Sequence, residues 1–407
     1  MKNYKEDFPL LMNTDLAYLD NAATAQRPAA VLDAVQDFYV RSNANPLRGL
    51  YDLAVDATGR YEAARERVRA FLNVEKTEEI IFTRNTTESV NLVAYSYGLT
   101  NLKPGDEILI TIAEHHSNML PWQMVARQTG ATLKYLDCEP DGSYPAERIG
   151  EAITPNTRLA AIGHISNVLG CRNPVEEIIA GVHQNGGVVL VDAAQSAPHI
   201  PVDVQALDAD FLAFSGHKVY GPMGIGVLYG KEHLLKDMPP FMSGGEMISY
   251  VKREGAVYAE LPHKFEAGTV NAADAVGLSA ALDYIEEIGW DVIREREEAL
   301  TKYAFEGMTA VPGVHILGNS DYRQHHGILS FTLDGVHPHD IAAILADDHV
   351  AVRAGHHCAQ PLLAHLGVRS SARVSLAFYN TEEDIDRLLN SLRTIRRKMG
   401  LGESNLL

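Results

Sequence analysis

The chain predicts an α/β fold: a mostly parallel sheet flanked by helices, followed by a smaller C-terminal domain. Its 407 residues exceed what one hydrophobic core usually holds, roughly 250–300 residues, so two domains are expected. Between about residues 79 and 230, short β-rich runs alternate with helix-like stretches, the pattern of parallel strands joined by crossover helices. A second, shorter cluster of strands and helices follows a long charged helical segment.

In chain order, "EEIIFT", "DEILIT", "TLKYLD", "RLAAIGHI", "GGVVLVDA", "DFLAFSG" and "GIGVLYG" read as strands, seven in all. Between several of them, "ESVNLVAYSYGL", "SNMLPWQMVARQTG" and "PVEEIIAGVHQNG" read as helices. The Gly-rich "FMSGGEMISYVKREG" (241–255) reads as an irregular excursion. After "FEAGTVNAADAVGLSAALDYIEEIGW" the helical segment runs to about residue 307. "GILSFTL", "HPHDIAAILADDH", "RVSLAFYN" and "TEEDIDRLLNSLRTIRRKMG" then supply the small domain. The expected divisions are an N-terminal segment packing with the small domain (1–20), a large domain (21–285) and a small C-terminal domain (286–407).

A formal charge of −18 argues against nucleic acid or an anionic membrane as partner. Glu6, Asp7 and Asp15 interrupt the N-terminus, and no run approaches the ~20 apolar residues of a membrane span. A cytoplasmic location is expected. Three cysteines, at 138, 171 and 358, are too few and too scattered for a disulfide framework. In a reducing compartment each is a free thiol.

Ligands in such sheets collect at the carboxyl ends of the strands. "VVLVDAAQSAPH" sets Asp192 at one such end, with Gln195 three residues on; "LAFSGHKVYGPMG" sets Ser215, His217 and Lys218 at the next. Singly, Asp192 could cap a helix and Lys218 could be solvated. Together they match what pyridoxal phosphate needs, a lysine for the Schiff base and an aspartate that keeps the pyridine nitrogen protonated. "FTRNTTESVNLVAYSYG" runs from a strand through Asn85, Thr86 and Thr87 into a helix, where free amides and hydroxyls can hold a phosphate as well as cap. "AEHHSNMLPWQM" offers His115 and His116 after another strand, and a flat imidazole could stack on the pyridine ring.

Cys358, in "RAGHHCAQP", has four possible fates. Zinc binding with His356 and His357 is disfavoured because side chains of consecutive residues point apart, and no metal is expected. A disulfide is disfavoured by compartment. Core packing is the serious rival to a nucleophile, although Gly355, the paired histidines and the following proline describe a loop. Cys138 and Cys171 fit turn or packing positions.

"YLDNAAT", "SNVLG", "VDAAQSAPH", "SGHKVYGPMGIGVLYG", "FEAGTVN" and "RAGHHCAQP" occur in this order, and over nearly its whole length the chain resembles SufS-type cysteine desulfurases, in the branch with a short cysteine loop. The resemblance implies the fold of class V aminotransferases, fold type I of the enzymes dependent on pyridoxal 5'-phosphate. It implies Lys218 as the Schiff-base lysine, Asp192 on the pyridine nitrogen, Gln195 on the phenolic oxygen and His115 stacked on the ring. Thr86, Thr87, Ser215 and His217 would serve the phosphate, with Thr269 reaching it from the other subunit of a homodimer. Arg373 and Asn167 would bind the substrate amino acid, Arg373 through its carboxylate. Arg353 would join them there, and with His356 and His115 it is a candidate to assist thiol ionisation, since an ordinary thiol is only slightly ionised at neutral pH.

The activity so implied converts L-cysteine to L-alanine, Lys218 removing the α-proton and Cys358 taking the sulfur as a persulfide for iron–sulfur cluster assembly. A selenocysteine lyase or cysteine sulfinate desulfinase would share every residue named; a class V aminotransferase would leave Cys358 incidental. Intact Lys218, Asp192 and Cys358 argue against a silent scaffold. A short loop needs an acceptor protein that comes to the thiol. His339, in "GVHPHDIAAIL", resembles a histidine implicated in engaging a zinc-containing acceptor, although it could simply neighbour a helix cap. The chain departs from many relatives at "NPLRGLYDLA", where Leu47 and Tyr51 stand in place of histidines, so no proton relay is carried over to them.

Overall fold

In the computed structural model, which describes residues 2–401, all seven expected strands form one sheet. Residues 1 and 402–407 of the expected end segments lie outside the described residues. The large domain runs through helices α1 (Ala29–Arg41) and α2 (Asp52–Phe71), strand β1 (Ile80–Thr83) and helix α3 (Thr86–Val93). Next come β2 (Glu107–Thr111), α4 (Leu120–Thr129), β3 (Thr132–Leu136), β4 (Thr157–Gly163) and α5 (Val175–Gln184). Three strands finish the sheet: β5 (Val188–Asp192), β6 (Phe211–Ser215) and β7 (Gly226–Gly230).

The strand order is β1-β7-β6-β5-β4-β2-β3. Only β7 runs antiparallel to its neighbours. Every residue of β5, β6 and β7 is buried, as expected of strands covered on both faces, which explains their unbroken apolar runs. Because β1 to β6 all run in one direction, the carboxyl ends of β1, β2, β4, β5 and β6 open on one edge.

The segment expected as an irregular excursion contains an antiparallel hairpin, β8 (Ile248–Lys252) and β9 (Gly255–Tyr258). Its turn carries Arg253 and Glu254 rather than the glycine or asparagine that marks tight hairpins, so the sequence hides it. The expected long charged helical segment is α7 (Trp290–Thr309); α6 (Ala272–Ile288) precedes it within the quoted stretch, and the two are divided at Gly289, whose φ of 85° favours glycine. α6 packs on α1 and α2; α7 packs on the last helix of the chain.

The smaller C-terminal domain has a four-stranded antiparallel sheet in the order β10-β11-β13-β12. These are β10 (Val314–Ile316), β11 (Ile328–Leu333), β12 (Arg353–Gly355) and β13 (Ser371–Ser375). Helices α8 (Pro338–Asp347), α9 (Gln360–His365) and α10 (Glu382–Lys398) complete it. α10 is fixed by a capping box between Thr381 and Asp384. The N-terminal segment bridges both parts. Ala17–Tyr18 pairs with Val350–Ala351 beside the small sheet, while the buried Phe8 ring lies 4.2 Å from that of Tyr379 and also meets Tyr220 and Tyr284 of the large domain. Burying such a ring contributes about 1.5–3 kcal/mol, so the contact helps hold the two domains in register.

Candidate functional site

The strand ends of the large sheet and the loop after β12 enclose a cavity of about 240 Å³. Lys218, Asp192, Gln195, His115, Thr86, Thr87, Ser215, His217 and Asn167 line it from the large domain; Arg353, Cys358 and Arg373 line it from the small one. Thr269 is exposed and lies outside the cavity of its own chain, as do Leu47 and the exposed Tyr51.

Asp192 ends β5, and its Oδ1 accepts the Ala194 N–H at 2.9 Å. Burial pushes this carboxyl up, against the opposing pull of the Ala194 amide and of Lys218. Lys218 closes the single turn Gly216–Lys218 after β6. Burial pushes its ammonium down to about 8, an effect that Asp192 opposes and Arg373 reinforces. Gln195 donates from Nε2 to the Ala22 carbonyl at 2.8 Å, leaving Oε1 buried without a partner. His115 accepts the Ser117 N–H on Nδ1 at 3.1 Å. Burial first, then Lys218, pushes it down to about 3, so the ring is neutral with its proton on Nε2.

At the other end of the cavity, Asn85 caps α3 by accepting the Glu88 N–H. Ser215 Oγ takes the Thr86 N–H at 2.9 Å and lies 2.8 Å from the Thr86 hydroxyl. Thr87 and Ser117 pair through their hydroxyls at 2.7 Å. Gly226 makes this corner possible, because an added Cβ would sit 2.5 Å from Asn85 Cα. Burial, then Lys218 and Arg27, pushes His217 down to about 4, so it too is neutral.

On the small-domain side Arg353 and Arg373 are cross-strand partners on β12 and β13. Asp20 accepts from both, at 3.1 Å from Arg353 Nη2 and 3.4 Å from Arg373 Nη2. Arg373 Nη1 also donates to the Asn167 carbonyl at 2.8 Å, and its Nε is buried without a partner. Burial pushes the guanidinium down to about 10, with Asp20 opposing. Asn167 turns its side chain to the cysteine loop, donating to the His357 carbonyl at 2.7 Å.

Cys358 is exposed, at the mouth of the cavity. It and His357 are consecutive left-handed residues, with φ of 57° and 52°, a conformation costing about 1–3 kcal/mol each outside glycine. Long-range bonds hold them there: the His116 N–H donates to the Cys358 carbonyl at 2.7 Å, and His357 Nε2 meets Ser371 Oγ at 2.9 Å. Cys138 and Cys171 are buried, and burial pushes their thiols up to about 11 and about 12. His339 is exposed at the start of α8; its Nε2 lies 3.9 Å from where a Cβ on Gly355 would stand, beside the strand that leads to Cys358.

Sequence reasoning missed two residues. Asp20, inside the quoted "YLDNAAT", has no local signal for its pairing with residues 333 and 353 positions away. Glu114 is a buried carboxyl that accepts from Thr111 Oγ1 (2.7 Å), Asn118 Nδ2 (2.6 Å) and the Gly163 N–H (2.9 Å), tying the end of β2 to that of β4. Burial pushes it up to about 7. A charged residue ahead of a histidine pair was its only trace. Among the described residues no group of three His, Cys, Asp or Glu side chains is arranged to hold a metal, and no helix is long and apolar enough to cross a membrane.

Residues 17–388 match the family model described as aminotransferase class-V. A protein of Halalkalibacterium halodurans named "Probable cysteine desulfurase" is 50% identical over 400 residues, 97% of this chain and 98% of its own. The cysteine desulfurase CsdA of Escherichia coli, solved with an S-sulfonic acid, superposes with a TM-score of 0.90 at 43% identity, covering 97% of this chain and 98% of that one. A variant of C-DES with glycine covalently linked to its PLP cofactor gives a TM-score of 0.81 at 27% identity, over 96% and 98% of the two chains.

Proposed function

The chain belongs to the class-V aminotransferase family, and on that footing we propose how its residues divide the work of a cysteine desulfurase dependent on pyridoxal 5'-phosphate. The enzyme converts L-cysteine to L-alanine and passes the sulfur to an acceptor protein. One observation carries the division: Lys218, at the end of the large sheet, and Cys358, on the small-domain loop, open on the same cavity.

The residues present fit the cofactor. A buried carboxyl at Asp192, a half-buried lysine at Lys218, a neutral imidazole at His115 and the orphaned Oε1 of Gln195 are polar groups without mutual partners in one cavity. In this reading Lys218, Asp192, Gln195 and His115 hold the ring end. Thr86, Thr87, Ser215 and His217 hold the phosphate end, joined by Thr269 of a second copy of the chain. Bound there, the cofactor supplies the electron sink that lets the Cα–H bond of cysteine ionise.

Arg373 binds the substrate carboxylate, with its unpartnered Nε available as a donor. Arg353 adds positive charge from the rim, and Asn167 orients both the arginine and the cysteine loop. Lys218, as a free amine of depressed basicity, takes the α-proton and returns a proton to carbon. The Cys358 thiolate attacks the substrate sulfur as the Cβ–S bond breaks. L-cysteine and the Cys358 thiol become L-alanine and a Cys358 persulfide, with no net oxidation. Purified enzyme given L-cysteine should form alanine and, with reductant, sulfide; Cys358→Ser retaining full alanine formation would remove the thiol from this reading.

The persulfide feeds iron–sulfur cluster assembly through a protein that docks at the exposed thiol. His339, beside Gly355, engages a zinc-containing acceptor. His339→Ala is expected to leave turnover without acceptor within about twofold, as for an exposed side chain, and to lose most acceptor stimulation. Equal stimulation of variant and wild type would sink that role. The functional unit is a homodimer, supported by the exposed apolar hairpin at Tyr250, Val251, Val257 and Tyr258 and by Val40, Leu50 and Tyr51. Light scattering should give twice the chain mass. The thiol-bearing small domain begins at residue 286 in this reading, supported by the helix break at Gly289. Three unpaired thiols support a cytoplasmic setting.

A further inference from the structure

The second histidine of the "EHHSN" stretch has no part in the division of work above, yet the large domain grips the cysteine loop through it at two points, in addition to the single bond from Asn167. We infer that His116 is a positioning residue that latches Cys358 in place by supplying the capping acceptor that helix α9 lacks.

α9 begins at Gln360, directly after the loop, and its N-cap is Ala359, whose methyl group can accept nothing. A helix start without a side-chain cap leaves its first N–H groups unsatisfied. His116 Nε2 accepts the Gln360 N–H at 3.3 Å, from 244 residues away in the chain. The same residue's backbone N–H donates to the Cys358 carbonyl at 2.7 Å. His116 thus brackets the thiol, fixing the residue that carries it and the residue two places on. Ala359, between them, is fully buried, so the bracket closes over a packed methyl. Burial, then His356, lowers the basicity of His116, which favours the neutral ring an acceptor nitrogen requires.

Two further facts make the latch necessary. Cys358 and His357 are both left-handed, so the loop relaxes unless surrounding contacts over-determine it. His115 and His116 also divide their directions, with ring centroids 6.4 Å apart and planes at 50°. His115 lines the cavity, whereas His116 does not. One histidine faces the chemistry and its neighbour holds the nucleophile that approaches it.

This deepens the reading of Cys358 as nucleophile and rests on it, so the decisive measurements need no substrate. Amide hydrogen exchange of the segment around Gln360, and the alkylation rate of Cys358 by iodoacetamide, are compared in the cofactor-loaded enzyme. His116→Leu removes the acceptor and is expected to speed Gln360 exchange by about 3- to 10-fold, the loss of one hydrogen bond. The alkylation rate shifts with it, and kcat falls with KM unchanged, because Arg373 is untouched. His116→Gln places an amide oxygen where Nε2 sits and is expected to restore exchange to within about twofold of wild type. Should His116→Leu fail to fold, His116→Asn replaces it, because the shorter amide reaches only the Nδ1 position and leaves Gln360 unprotected. Wild-type exchange in His116→Leu or His116→Asn, or His116→Gln exchanging as fast as either, overturns the latch. A Cys358→Ser enzyme that still makes alanine would overturn the nucleophile reading alone and leave these exchange rates standing.

Discussion

The two walls of the cavity are built by different means. On the large-sheet side, Asp192 and Ser215 end strands in which every residue is buried, and Lys218 follows one turn later. Their positions are set by hydrogen-bonded ladders between neighbouring strands. On the opposite side, Cys358 sits on residues 356–359 between β12 and α9, in left-handed backbone, held by bonds from His116, Asn167 and Ser371. One wall is fixed by the fold as a whole, the other by a few side chains borrowed from distant parts of the chain. In the proposed reading, the groups that hold the cofactor and ionise substrate therefore belong to a rigid frame, and the group that must meet an outside acceptor belongs to an exposed loop that can be loosened one bond at a time.

The largest effects test whether the walls do separate jobs. Lys218→Ala should lower alanine formation from cysteine by at least about 10³-fold, the scale of a lost acid–base group, and alter the visible absorbance of the cofactor. Cys358→Ser should lower it by on the order of 100-fold, because a hydroxyl replaces a far better nucleophile, while leaving that absorbance unchanged. If Cys358→Ser also perturbed the absorbance before substrate is added, the loop would be part of the cofactor frame and the contrast would fail.

The two walls were also unequally legible in the sequence. The large sheet reads directly, since buried parallel strands are continuous apolar runs and their carboxyl ends show where Asp192, Ser215 and Lys218 fall. The loop could be placed only by motif. Nothing near Cys358 announces the bonds from His116 or Asn167, which join residues 242 and 190 positions apart. Asp20 was hidden likewise, because its partners are set by the small sheet's antiparallel register. The hairpin at 248–258 was hidden for a local reason, a turn whose residues carry no turn signal.

A smaller effect sharpens the comparison within the small domain itself. Arg353 and Arg373 are opposite each other on adjacent strands and share Asp20, yet Arg373 is buried and Arg353 exposed. Arg373→Lys keeps the charge but loses the planar fork. It should lower kcat/KM for cysteine by about 10- to 100-fold, mostly through KM, on the scale of charged hydrogen bonds worth about 1.5–3 kcal/mol. Arg353→Lys should cost less than about 3-fold, because an exposed pair contributes little. Equal losses would mean that exposure does not separate the two roles, which steady-state kinetics on the two variants would reveal.

The smallest effect concerns acid stability. Burial pushes His164 down to about 3, with Arg172 and His326 acting in the same direction, and both ring nitrogens are buried without partners. Unfolded, the ring titrates near 6.5. Between those values the unfolded chain binds a proton that the folded chain refuses, so stability rises with pH through this window and is lost as pH falls from about 6.5 toward 3. At pH 5 one such group costs about 2 kcal/mol. His357, on the loop, is pushed down to about 3 by burial and then Arg373, but it also bonds Ser371, so replacing it would remove a contact along with the titration. His164 has no such bond to lose. His164→Phe should therefore narrow the gap between melting temperatures at pH 7 and pH 5 and leave the pH 7 value nearly unchanged. An acid slope identical to wild type would show that the folded protein accommodates the proton at His164, and that the frame is less dry than its unpartnered nitrogens indicate.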